Sequence, residues 1–173
     1  MRSIRKPLIG LGLAVGIILG GVSPASAHPR QLAAVKDSLE RFHSVGYATR
    51  QGFGLVIDVN GVSCINDPAG TGNMGYHYAN GALLMDGKID PFHPEAVLYE
   101  RRDGDLRLTA IEYIILAQDW GKRQPPELFG EDFMFVDSPN RFGLPPFYML
   151  HVWLWKSNPL GLFNPYNPRV HCP

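Results

Sequence analysis

The sequence predicts an α+β domain in which an N-terminal helix packs on a mainly antiparallel sheet, curled or partly closed as a small β-barrel. Three observations carry this. Apolar residues recur at spacings of three and four over residues 29–45, the period of one buried helix face. From Gly52 onward the period falls to two, that of a strand with one buried side. Asn60-Gly61, Asn80-Gly81, Asp86-Gly87 and Asp103-Gly104 punctuate that stretch as hairpin-type turns.

In the helical stretch Leu32, Val35, Leu39 and Phe42 make the apolar stripe, with Pro29 placed to start the helix and Gly46 to stop it. Asp37 and Arg41 are spaced as an outward i,i+4 pair, and His43 shares the polar side with Lys36 and Glu40 as a solvated residue. Residues 55–59 and 62–65 flank the first turn, which places Cys64 on a strand. Residues 96–101 and 106–116 flank Asp103-Gly104 as the clearest hairpin, and residues 147–155 form a further apolar strand between Pro-rich segments. Beyond Lys156, Asn158-Pro159, Asn164-Pro165 and Asn167-Pro168 remove ladder donors and bias each Asn toward extended backbone, so this end is expected to wrap the domain as coil.

The first 27 residues read as an address. Arg2, Arg5 and Lys6 precede an uncharged apolar run over 8–22 that holds five glycines, followed by Pro24 and the Ala25-Ser26-Ala27 cleavage pattern. The run is shorter than the roughly 20 residues a spanning helix needs, so it is expected to be cut after Ala27. That leaves a single domain over 28–173, secreted or periplasmic, with no membrane span. Removing the three leader cations from a chain with 16 basic and 16 acidic side chains leaves a net charge of −3, which argues against nucleic acid as a partner. In an oxidising compartment Cys64 and Cys172 are expected to pair and to fasten the C-terminal coil to the sheet.

Gly70-Thr71-Gly72-Asn73-Met74-Gly75 spells a dinucleotide fingerprint, but Asp67-Pro68 precedes it and the strand-like Tyr76-His77-Tyr78 follows, so it lacks the strand–turn–helix context and is read as a loop. The serines sit in no nucleophile elbow. The strongest chemical signal is Glu112. Strand alternation groups it with Leu106, Leu108, Ala110, Ile114 and Leu116, and a carboxylate among apolar residues needs a hydrogen bond, a counter-charge or a metal. With a two-residue turn, Glu100 falls opposite Arg107 as an ion pair and Glu95 opposite Glu112, a like-charge pair that calls for a cation or a shared proton. The rival readings are a register displaced by one residue, or a Glu112 turned to water with Ile111, Tyr113 and Ile115 buried instead.

His77 and His151 are the mid-strand histidines that can answer Glu112. Two imidazoles and a carboxylate are the ligand set of many zinc, iron and copper sites, so His77, Glu112 and His151 are the candidate metal ligands for a divalent transition-metal ion. His93 and His171 read as loop residues, His93 as a reserve ligand. Alternation also puts His151, Trp153 and Trp155 on one face. A second reading is therefore a small-molecule pocket in a β-barrel, lined by Tyr76, Tyr78, Glu95, Trp153 and Trp155. Glu95 with Glu112 would also be the pair for glycoside chemistry, on a scaffold small for a sugar cleft. A third reading is an interaction module of the cell envelope with exposed aromatics.

At Gly75-Tyr76-His77-Tyr78, Asp90-Pro91, 94–100, Glu112-Tyr113 and above all Leu150-His151-Val152-Trp153-Leu154-Trp155 with Asn158-Pro159, the chain resembles a family of secreted bacterial proteins of unknown function. The resemblance spans roughly Gly46 to Cys172. It implies an exported bacterial domain and fits a cysteine near the C-terminal end, and it brings no activity, cofactor or site residue with it.

Overall fold

A computed structural model describes residues 24–173, with side chains from His28 onward, and realises the α+β class. All but the last four residues of the expected leader lie outside the described residues. Those four open a helix.

The helical stretch is in three pieces: α1 (Pro24–Ser38), a 3-10 turn (Glu40–His43) and α2 (Val45–Arg50). This corrects the single helix over 29–45, since Pro29 lies inside α1 and Gly46 inside α2. Two serines cause the break. The Ser38 hydroxyl donates to the Val35 carbonyl, and the Ser44 side chain accepts from the Tyr47 N–H as the N-cap of α2. The apolar stripe survives, with Val35 and Leu39 buried and Leu32 and Phe42 packed beside them. Asp37 and Arg41 fall in different segments and lose their helical register. His43 is exposed as expected, 3.4 Å from Glu40.

The main sheet has seven strands: β1 (Phe53–Leu55), β2 (Cys64–Asn66), β3 (Asn73–Asn80), β4 (Ala96–Arg102), β5 (Asp105–Leu116), β8 (Met134–Val136) and β9 (Phe147–Val152). Every pairing is antiparallel, in the order β1-β3-β4-β5-β9-β8, with β2 also on β3. The sheet curls but stays open, because β1 and β8 end the path unpaired to each other; the barrel alternative is not formed. The short helices α3 (Gly81–Leu84) and α4 (Ala117–Trp120) and a small ribbon, β6 (Glu127–Leu128) with β7 (Glu131–Asp132), fill the connections.

Asn60-Gly61 turns no hairpin. β1 pairs with the C-terminal half of β3 and β2 with its N-terminal half, so the two are one edge strand interrupted by a loop over 57–63. Asp58 shapes that loop by accepting the N–H groups of Asn60 and Val62, both at 2.9 Å. Asn80-Gly81 likewise starts α3, with the Asn80 side chain accepting from Ala82 and Leu83. The Asp103-Gly104 hairpin is as expected, Arg102 facing Asp105 across a two-residue turn with both turn residues at positive φ.

Both faces of the sheet are covered. The helices pack on one face, over Val97, Tyr99, Ile111, Tyr113, Leu150 and Val152. The other face carries Ala96, Leu98, Ala110, Ile114, Leu116, Phe147 and Met149, and is roofed by Phe142, Leu144 and the C-terminal coil through Tyr166 and Val170. The coil is fastened as expected by the Cys64–Cys172 disulfide, Cα–Cα 5.6 Å. It runs so close to Gly72 that a Cβ there would lie 2.5 Å from the Asn167 carbonyl carbon, while Gly75, within β3 and not in a loop, lies so close to β4 that a Cβ there would be 2.4 Å from the Tyr99 carbonyl oxygen. These glycines serve chain packing.

Among the described residues no helix is long and apolar enough to cross a membrane.

Candidate metal centre

A β-bulge decides where Glu112 points. Glu100 still faces Arg107, but the register shifts between Leu98 and Tyr99, so that Leu98 pairs with Ala110 and Ala96 with Glu112. The expected Glu95–Glu112 juxtaposition is therefore not formed. The extra residue, Thr109, splits the expected apolar face: Leu106 and Leu108 join the helix-side core, while Ala110, Glu112, Ile114 and Leu116 turn to the other. Glu112 is buried, and so are Ile111, Tyr113 and Ile115, because both faces are covered; the solvent-facing alternative fails.

The strands on either side deliver the histidines. His151 on β9 lies directly opposite Glu112 on β5, and His77 on β3 lies opposite Leu98 on the far side of β4. All three side chains are at most 3% exposed. His77 Nε2 is 3.5 Å from Glu112 Oε2, and His151 Nδ1 is 3.5 Å from Glu112 Oε1. One ligand atom from each residue can be chosen so that all lie within 4.8 Å of one another. Ligands of a tetrahedral ion held at 2.0–2.2 Å are about 3.4 Å apart, so a side-chain closure of up to about 1.4 Å completes the set.

The hydrogen bonds of the site are incomplete. His77 Nδ1 lies 3.3 Å from the Gly75 carbonyl, which selects the tautomer with the proton on Nδ1 and leaves the Nε2 lone pair toward Glu112. A lone pair facing a carboxylate repels it. Among the described residues His77 Nε2 and both ring nitrogens of His151 are buried without a partner, and at 3.5 Å the His151–Glu112 approach is longer than a formed hydrogen bond. Burial drives the His77 imidazole down to about 4, against the pull of the Glu112 charge. Burial likewise pushes the Glu112 carboxyl up, but the closeness of His151 and then of His77 outweighs it and holds the carboxyl below its ordinary value. Near neutral pH the cluster thus pairs an ionised carboxylate with a neutral His77, the protonation states in which a metal is bound.

Glu95 has a different task. β4 begins after Pro94, and the Ile114 N–H, beyond its end, is satisfied by Glu95 Oε2 at 2.8 Å. Burial raises the Glu95 carboxyl to about 8, so it is neutral where Glu112 is charged. Glu100 pairs with Lys156 at 2.6 Å and Arg107 with Asp105 at 3.2 Å, in place of the expected cross-strand pair.

The aromatic pocket is not assembled. Tyr76 and Tyr78 lie in the helix-side core, Tyr78 edge-on to Tyr99. Trp153 packs on His151 in the other layer and donates to the Asn164 carbonyl, whereas Trp155 lies against the helix side and donates to Glu40. The strand ends at Val152 because the Trp153 N–H turns to the Leu162 carbonyl, so alternation fails exactly where it was to align the two tryptophans. His93 is exposed and bonded to Asp90, and His171 is exposed, so neither joins the cluster.

Two further features bear on the site and were not legible in the sequence. An apolar cavity of about 120 Å³ opens beside His77 and Glu112, roofed by Val56, Phe142 and Leu144. The roof is latched by Arg141, which donates to the buried Asp58 carboxylate at 2.8 and 3.1 Å and to the Asn66 carbonyl at 2.7 Å. The Val62 N–H, working against burial, and Arg141 hold the Asp58 carboxyl below its ordinary value. The only local sign was the Asp58–Asn60-Gly61 turn chemistry; its partner lies 83 positions away. Compared with known protein families, curated proteins and solved structures, the chain matches none.

Proposed function

We propose that this chain is an exported domain that binds one divalent transition-metal ion, of the zinc or cobalt type, through His77, Glu112 and His151. One observation carries the reading: a buried carboxylate is flanked by two buried imidazoles that, among the described residues, leave three ring nitrogens without a partner. Native interiors rarely leave buried polar atoms unpaired, and an ion at the centre satisfies His77 Nε2, a His151 nitrogen and Glu112 together. The ion also replaces the repulsion between the His77 lone pair and the carboxylate with attraction to both. Three protein ligands leave a fourth position open, as in sites that bind or activate a small molecule. Export is supported by the basic and apolar leader with its Ala25-Ser26-Ala27 site, by the Cys64–Cys172 disulfide, and by the resemblance to secreted bacterial proteins.

The test is the metal content of purified protein after zinc loading and dialysis. The wild type should retain one equivalent, with a raised melting temperature, since a ligand at about 100 times its Kd adds about 2.7 kcal/mol. His77→Ala and His151→Ala should each abolish the equivalent while the protein stays folded. Unchanged metal content in folded variants, or no retained metal in the wild type, would overturn the reading.

A further inference from the structure

The cavity beside the cluster is lined by two of the three proposed ligands and gives a fourth ligand of the ion its room. His77 and Glu112 both line it and His151 does not, so the protein ligands lie toward one end and the remaining space is apolar: Val56, Leu84, Ile114, Phe142, Leu144 and Phe147. Its volume, about 120 Å³, is near that of apolar protein cavities of about 150 Å³ that accept benzene. Among the described residues Glu112 is the one charged side chain on its wall.

Charge narrows the occupant further. A divalent ion held by one carboxylate and two neutral imidazoles leaves a net single positive charge in a buried site, which a monoanionic donor cancels and a neutral or dianionic one does not. An apolar wall disfavours hydroxyl or amino substituents, whose hydrogen bonds would go unmet there.

Resting on the metal reading above, we propose that this site takes a small apolar monoanion, an aromatic or branched-chain carboxylate, whose head completes the coordination of the ion and whose body fills the cavity. The head supplies affinity common to all carboxylates. The cavity supplies the selectivity.

The experiment uses the mature protein loaded with cobalt(II), whose visible absorption reports changes in coordination, titrated with benzoate and separately with acetate. Benzoate should bind at least tenfold more tightly than acetate. Leu84→Trp, which fills the cavity, should bring benzoate down to the level of acetate while leaving the cobalt content and acetate binding unchanged; Ala79→Leu, at a β3 residue that also lines the cavity, serves the same end if the first variant does not fold. Equal affinity for the two anions in stoichiometrically loaded protein would overturn the cavity assignment and leave the metal site standing. Equally tight benzoate binding in cobalt-free protein, followed by calorimetry, would overturn coordination as the source of affinity. Failure to take up cobalt would overturn the metal reading and this one with it.

Discussion

Glu95→Gln separates the charge of a buried carboxyl from its structural task. Glu95 is 2% exposed and accepts the Ile114 N–H at 2.8 Å, a bond that a glutamine carbonyl can accept equally. Its carboxyl is raised from 4.5 to about 8, burial outweighing that hydrogen bond. Below about pH 4.5 the group is neutral in both folded and unfolded chains, and its preference for the folded interior is fully present. As pH rises toward 8 the unfolded chain ionises first, so stability is progressively lost; above 8 the loss is complete. A tenfold change in proton affinity is worth about 1.36 kcal/mol, which sets a ceiling of about 5 kcal/mol on this loss. Glutamine cannot ionise. Urea unfolding of metal-free wild type and Glu95→Gln from about pH 4.5 to 8 should give curves that nearly meet at the acid end and separate by several kcal/mol at the alkaline end, the variant being the more stable. Because only the difference between the two proteins is read, other titrating groups cancel. A constant difference across the range, or a variant less stable at pH 8, would refute the argument.

The His77 imidazole, lowered from 6.5 to about 4, has the opposite sign: its contribution is full above about pH 6.5 and is lost as pH falls through 4, so bound metal should be released on acidification, as followed by a colorimetric chelator. Reducing the Cys64–Cys172 bridge, which closes a separation of 108 residues, should cost about 4 to 5 kcal/mol in urea unfolding, and unreduced denatured protein should show no free thiol. Arg141→Ala unlatches the roof over the cavity, so zinc should be lost to excess chelator faster than from the wild type, with stoichiometry at saturation unchanged. An unchanged rate would show that the roof does not limit access.

By itself the sequence determined what local chemistry dictates: the helix stripe, the period-two stretch, the Asp103-Gly104 hairpin with its two-residue turn, and the pairing of the chain's two cysteines. It also singled out Glu112, because a carboxylate in an apolar run is costly wherever that run is buried. Tertiary structure alone decided what Glu112 meets. One unpaired residue, Thr109, shifts the register by one and turns Glu112 away from Glu95 and into the layer of His77 and His151, a step that alternation counted from the turn has no means of including. The same limit undid the tryptophan pair, since Trp153 takes its backbone partner from Leu162 in the coil. The cavity and its Asp58–Arg141 latch depend on loops that meet over the sheet from 83 residues apart, and contacts of that range are set by how the whole chain packs, not by the pattern of residues within any one of its segments.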